Sequence, residues 1–364
     1  MKILHIETGR FFYGGPQQVL YLCSGLKNLG FKNILVCSLE SDLGKIAKEQ
    51  GIRVIEVRCK GDLDIFFALR LSKIINNECP DIIHCHSRRG ADFLGGMVAY
   101  WYGIPAILSR RVDSLESNLI NKLRNILFLK TIAISKNIYN ILSLSGIKSD
   151  QLSLIRSAVD STRFLKSKTK EEFLDRFNLN ENDCVIVSVG QLIPRKGHDF
   201  LIKSMVNLRE LSPRIKLIIF GQGQLNGKLK KLITRLNLDD CVRLAGFDLE
   251  LDDYLPHFKL LAHAASAEGL GVILMKAGAA GLPVVAFNAG GISEVIKNGV
   301  TGLLSEVGDQ STFENNINSI INDEVLRGNY SSAAKQFIKI EYSLQPMLNK
   351  HIQLYESIYN ERIK

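Results

Sequence analysis

The chain has no apolar stretch near the ~20 residues that a membrane span needs. It also has no low-complexity tract and no short-period repeat, which excludes a helical span and a solenoid. Its apolar N-terminal run is too short for a signal peptide. The seven cysteines (Cys23, Cys37, Cys59, Cys79, Cys85, Cys184 and Cys241) are odd in number and scattered, and no pair has C-x-x-C spacing. That excludes a disulfide framework and leaves them as reduced core residues. Together these absences lead to the expectation of a cytoplasmic protein, soluble or peripheral at a membrane.

What is present is length and unevenly placed charge. The 364 residues are 46% hydrophobic, enough for two cores. The formal net charge is +9, and residues 1–165 carry 22 Lys and Arg against 14 Asp and Glu. Residues 166–364 carry 24 against 23. A basic first half suits an anionic partner, such as a phosphorylated lipid, an acidic glycan, a membrane face or nucleic acid. It equally suits lysines on solvated faces.

Short β-rich runs alternate with helical patterns. The runs lie at 2–6, 33–38, 53–57, 82–86, 106–109, 131–134 and 152–155, then at 185–190, 216–221, 242–245, 260–263, 283–287 and 302–304. Such alternation predicts parallel sheets with helices on both faces. It breaks in the polar stretch 157–182, the natural junction between domains 1–165 and 166–341. A helical tail, 342–364, is expected to pack back on the first domain. Ligands of open α/β sheets bind beyond the carboxyl ends of the strands.

The motifs sit at those ends. In Ala267-Glu268-Gly269-Leu270-Gly271-Val272 a carboxylate precedes a glycine-flexible turn that opens an apolar helix, offering backbone N–H groups to an anion. In Gly190-Gln191-Leu192-Ile193-Pro194-Arg195-Lys196-Gly197 two adjacent cations follow a strand. They suit a diphosphate, or form a solvated basic loop. Gly14-Gly15-Pro16-Gln17 is either an anion-approach loop or a structural turn. Gly221-Gln222-Gly223 invites a dinucleotide reading, but the spacing is G-x-G-x-x-x-G and the next strand, through Phe247, shows no carboxylate at its end. His84 and His86 are two potential metal ligands with no evident third, so no metal is expected. One of the two is expected to be packed and the other to lie at the strand end, facing the cleft. Arg110 and Arg111, with Arg88 and Arg89, form a candidate anion pocket. Leu115, Leu119, Leu123, Ile126 and Leu127 recur at helical spacing among Lys122, Arg124 and Lys130. They read either as a core-facing amphipathic helix or as a membrane-surface helix.

Taken in order, these pieces resemble glycosyltransferase family 4, the retaining GT-B enzymes, over nearly the whole chain. The resemblance implies an α/β fold of two Rossmann-like doubly wound domains facing a central cleft, with the acceptor on the first and a nucleotide sugar on the second. It implies that Lys196 and Arg195 neutralise the diphosphate and that Glu268 holds a sugar hydroxyl. Gly15, Gly190, Gln191, Gly221, Gly223, Phe247, Gly269, Leu270, Gly271, Val272 and Lys276 would line the donor. His86, Arg88, Arg110 and Arg111 would meet the acceptor. No cofactor or metal is implied. The expected partners are a nucleoside-diphosphate sugar, with UDP as the leading base, and an anionic or lipid-linked envelope glycan such as lipopolysaccharide. A nucleic acid is not among them. Three positions depart from the family pattern. Lys276 stands where a second Glu usually meets the ribose, Gln191 where Arg often follows the strand, and Arg111 near a frequent His. A catalytically impaired binding protein and a nucleotide-sugar epimerase of the same fold remain as alternatives.

Overall fold

A computed structural model describes all residues except 62, 87–89, 114–117 and 364, and all side chains except these and 118, 119, 166 and 363. The chain divides into two compact units, Met1–Ala158 with Leu344–Lys364, and Val159–Ser343. The division therefore falls seven residues earlier than the polar stretch suggests. That stretch holds a 3-10 turn, Ser161–Lys166, and a helix, Lys170–Phe177, with a Thr169–Glu172 capping box.

The first unit holds a parallel sheet of β1 (Lys2–Glu7), β2 (Lys32–Ser38), β3 (Arg53–Val57), β4 (Ile82–Cys85), β5 (Ala106–Arg110), β6 (Lys130–Ala133) and β7 (Leu152–Leu154). Their order is β3-β2-β1-β4-β5-β6-β7. The second holds β8 (Cys184–Val189), β9 (Ile215–Phe220), β10 (Val242–Gly246), β11 (Leu260–His263), β12 (Val284–Phe287) and β13 (Gly302–Ser305), ordered β10-β9-β8-β11-β12-β13. The thirteen strands read from the sequence are all present, every end within one residue. Both sheets are doubly wound. Strand order reverses between β1 and β4 in the first and between β8 and β11 in the second, and those are the switch points where such folds open a crevice.

Side-chain alternation puts helices on both faces. In the first unit Leu4, Ile6, Ile83 and Cys85 face Phe67, Leu71, Leu94, Val98 and Phe128. The opposite face carries Ile3, Ile82, Ile107 and Ile132 against Leu22, Leu26 and, from the C-terminal helix Leu344–Ile363, Met347, Leu348, Tyr355 and Ile358. The second unit closes around Ile186, Leu217, Ile219, Ala262 and Val285 with Met205, Leu229, Phe313 and Ile317.

Two sequence expectations change here. Within the described helix Asn118–Leu127, Leu127 is buried but Leu123 and Ile126 are exposed, so the helix is not simply core-facing. Of the cysteines, five are buried, whereas Cys59 is half-buried and Cys79 is exposed at a helix end; all seven are free thiols. No helix among the described residues is long and apolar enough to cross a membrane.

Candidate functional site

The second unit's switch point lies between the carboxyl ends of β8 and β11. After β8 the chain makes a 3-10 turn, Pro194–Lys196, and enters the helix His198–Leu211 through Gly197 at φ +66°. Only glycine fits there, because a Cβ on Gly197 would lie 2.0 Å from the Ala264 carbonyl oxygen. The β8 loop is thereby clamped on the segment leaving β11. Ser266 N–H donates to the Arg195 carbonyl (2.9 Å), and Arg195 Nη1 donates to the Ala267 carbonyl (3.0 Å).

This clamp brings together residues 72 positions apart in sequence. Lys196 Nζ is ion-paired with Glu268 Oε2, and the same oxygen meets His263 Nε2 at 3.1 Å. Both charged side chains are largely buried, at 11% and 14% exposure. Burial alone would raise the Glu268 carboxyl. The His263 hydrogen bond and the Lys196 charge outweigh it and hold the group well below the usual carboxylate range. Burial lowers His263, and burial with the neighbouring His263 lowers His198 to about 4. At neutral pH the Glu268 carboxylate thus stands beside Lys196 and two neutral imidazoles. His263 was not singled out in the sequence; a histidine ending a strand five residues before Glu268 was the available signal.

The helix Val272–Ala280 opens at Gly271, φ +88°, with no capping side chain. The amide end beside Glu268 is therefore left to solvent or an anion. Gly291 N–H donates to the Glu268 carbonyl (2.8 Å), tying the loop after β12 to this turn. Gly190, Gln191, Gly221 and Gly223 sit at the ends of β8 and β9, interlocked through Leu192 N–H to the Gln222 carbonyl (2.9 Å). Leu270 is buried, so only its backbone can meet a ligand. Phe247 directly follows β10. So does Asp248, a carboxylate that the dinucleotide comparison passed over; it is taken by Arg176 at 2.8 Å.

Lys276 is engaged. Its Nζ bonds both carboxylate oxygens of Asp252, at 3.0 and 2.8 Å, and Arg163 approaches the same carboxylate at 3.5 Å. Lys276→Glu consequently places two carboxylates together on a largely buried spot. It is expected to lower the melting temperature, with a destabilisation of about 3 kcal/mol. Adding Asp252→Asn should restore most of that loss, and an unchanged melting curve for Lys276→Glu alone would show that the pair is not holding.

The first unit's candidate residues group around β1 and β4. Parallel register sets His5 directly beside His84, and His86 follows at the strand end. His5 is the third imidazole that the sequence did not reveal. Their ligand-capable nitrogens lie within 4.8 Å of one another. His84 is nonetheless saturated, Nδ1 on the Tyr355 hydroxyl (2.6 Å) and Nε2 on the Ser109 hydroxyl (2.8 Å). His5 Nδ1 and His86 Nε2 meet at 3.1 Å. The geometry is that of a hydrogen-bonded stack of imidazoles beneath the C-terminal helix. His84 and His86 are both buried, so neither presents a ring to open solvent. Gly15 lies in this unit, where its Cβ position would be 3.5 Å from Arg111 Cδ. Arg110 is buried, and burial lowers Arg111 to about 10 despite the charge of Glu7. Arg88 lies outside the described residues.

Buried neutral histidines predict acid lability. The unfolded chain takes up protons near pH 6.5, whereas burial, with the His351 charge, holds folded His5 at about 3. Between those values the unfolded state binds more protons, so stability falls as pH falls. The expected loss is up to about 1.4 kcal/mol per pH unit for His5 alone. Melting temperature from pH 7.5 down to pH 5 reads this directly, and a flat profile would contradict it.

Comparison with known proteins agrees with this architecture. Residues 13–163 match the model described as Glycosyltransferase Family 4, and residues 169–337 match Glycosyl transferases group 1. The chain belongs to the GT-B glycosyltransferases related to family 4. It is 28% identical to the lipopolysaccharide core biosynthesis glycosyltransferase LpsE of Rhizobium meliloti over 48% of this chain and 50% of that one. It thus matches about half the length of that relative. An uncharacterized glycosyltransferase of Methanocaldococcus jannaschii is 27% identical over 98% of this chain and 99% of its own. Among solved structures, Anabaena Alr3699/HepE in complex with UDP-glucose superposes with a TM-score of 0.87 at 18% identity, covering 98% of this chain and 100% of that one. At that identity the likeness concerns the fold.

Proposed function

We propose that this protein is a retaining glycosyltransferase. It moves a sugar from a UDP-sugar to a cell-envelope glycan or lipid-linked acceptor. The observation that carries the reading is the Lys196–Glu268–His263 cluster at the second unit's switch point, beside the uncapped helix start at Gly271. In this reading Lys196, with Arg195, leaves its carboxylate partner to neutralise the diphosphate. Glu268 then accepts a hydrogen bond from a sugar hydroxyl, and the amides after Gly271 face the phosphate. Charge that develops on the leaving diphosphate meets donors already in place. His86, Arg110 and Arg111 belong to the acceptor side. The names of the relatives support an envelope acceptor. The basic excess of the first half supports an anionic one, and with it a peripheral station at the cytoplasmic face of the inner membrane.

The test is a thermal-shift screen with UDP-, GDP- and ADP-sugars, followed by transfer and hydrolysis assays with the stabilising donor. A bound donor raises stability with the logarithm of its concentration over its dissociation constant. No transfer and no hydrolysis with any donor would sink the enzyme reading. One observation favours a second reading, an impaired GT-B binding protein: Lys276, at the ribose position, is held by Asp252. Donor binding without turnover would select it. An altered sugar produced without acceptor would instead indicate epimerisation.

A further inference from the structure

Glu268 holds two partners on one oxygen, and the proposed reaction takes one of them away. Its Oε2 receives Lys196 Nζ and, at 3.1 Å, His263 Nε2. A carboxylate only accepts, so the His263 proton stands on Nε2. Among the described residues, His263 Nδ1 and Glu268 Oε1 have no hydrogen-bond partner. His263 ends β11, is 2% exposed and sits opposite Ala286 of β12. The Glu268 backbone is equally fixed, since a Cβ on Gly290 would lie 2.2 Å from its carbonyl oxygen. Lys196 is the partner on a long flexible stem. A diphosphate therefore draws off the lysine and leaves the imidazole–carboxylate pair behind.

That pair then lacks a charge. Lys196 and Arg195 are offset by the phosphates, and a largely buried carboxylate is left without a cation. Such a charge is strongly disfavoured. The titratable and charged groups that act on His263 are Glu268 on its own segment, and Lys196, Arg195 and His198 after β8. In the free protein, burial holds the His263 ring below its ordinary range. The Glu268 hydrogen bond opposes this, whereas the Lys196 and Arg195 charges reinforce it. A bound diphosphate offsets those charges and spares the Glu268 contact, so the ring gains proton affinity. Among the described residues, His198 has no carboxylate contact of this kind; its Nδ1 meets the Ser188 hydroxyl at 3.5 Å.

We propose that His263 is a positioning residue, which takes over Glu268 when Lys196 turns to the donor diphosphate and draws a proton from solvent as it does so. The proton enters at Nδ1. The imidazolium then steadies Oε2, while Oε1 stays open to the sugar hydroxyl. Donor binding and proton uptake are thereby coupled. This role rests on the donor reading given above, and it goes beyond it by naming what replaces the lysine.

Calorimetry of the full chain with UDP-glucose, in buffers of different ionisation heat, reads the uptake. The diphosphate diester of this probe does not titrate between pH 6 and pH 8, so protons taken up belong to the protein. At pH 6.5 the uptake should approach about one proton per bound donor. The bound state holds the extra proton, so affinity should rise at least about threefold from pH 8 to pH 6. By NMR, the His263 ring should titrate at least about one pH unit higher with UDP-glucose than without; its resonance is the one missing from His263→Gln. His263→Gln keeps an N–H donor toward Glu268 but cannot take the proton, so it should bind the donor with no uptake and a flat pH profile. His263→Leu removes the donor group too, and should bind more weakly than His263→Gln. His198→Gln should retain the uptake. UDP-glucose binding without uptake in the parent would overturn the proposal, as would uptake that survives in His263→Gln; either result leaves the transferase reading standing. Failure of every UDP-sugar to bind would remove the donor reading, and this role with it.

Discussion

Lys196→Ala is expected to lower kcat/KM by about 10²- to 10³-fold, the range seen when one preorganised donor to developing charge is removed. The loop that carries Lys196 is fixed by the Gly197 clamp. Arg195, which shares the diphosphate in this reading, is partly engaged by the Ala267 carbonyl and makes up only part of the loss. Calorimetry with UDP separates binding from chemistry: affinity should fall at least about tenfold, since a charge-assisted contact contributes about 1.5–3 kcal/mol. Lys276→Ala, by contrast, should change UDP affinity little, because Lys276 already serves Asp252. Equal effects of the two substitutions would contradict the assignment of the diphosphate to Lys196.

Glu268→Gln should separate the two halves of the donor. The free protein stores its carboxylate against Lys196 and His263. Neutralising it removes the counter-ion that competes with a diphosphate for the ammonium. UDP affinity is therefore expected to hold or rise a few-fold. Transfer should nevertheless fall on the order of 10²-fold, because the amide cannot accept from the sugar hydroxyl as a carboxylate does. Parallel loss of UDP affinity and turnover would mean that Glu268 only supports the loop. The double variant with Lys196→Ala completes a cycle, and these two contacting residues should be strongly non-additive.

The fold was legible because parallel strands buried on both faces read as compact apolar runs, several of which end at a charge or a glycine, as at Glu7, Arg58, Arg110, Gly190, Gly221 and Gly246. The site was legible residue by residue but not pair by pair. Lys196 and Glu268 stood out, each at a strand end, whereas their contact depends on β8 and β11 being neighbours, which strand order alone decides. His5 was invisible for the same reason: its partner is set by register with β4. Lys276 read only as a departure from the family pattern, because its anchor, Asp252, lies in a four-residue helix with no periodicity to announce it. Leu123 and Ile126 show the limit of helical spacing, which finds a stripe without saying whether core or solvent lies opposite.

Helix capping divides the chain in a telling way. Among the described residues, six helices open on a side chain that bonds the first turn: Ser41, Asp64, Ser135, Thr169, Asp309 and Asp323. The four helices that follow the strands at the two switch points, starting at Gly14, Ala91, His198 and Val272, have no such cap, as is also true of those starting at Asn226, Leu251 and Ile292. At Gly197 and Gly271 the left-handed backbone resists any L side chain that could supply one. A missing cap is a deficit of about 1 kcal/mol per helix in the free protein. Conventional stabilisation by surface mutation cannot repair it at these two positions. An anionic ligand that meets the amides after Gly197 and Gly271 should supply the missing bond, so its binding is expected to stabilise the two helix starts as well as to hold the ligand.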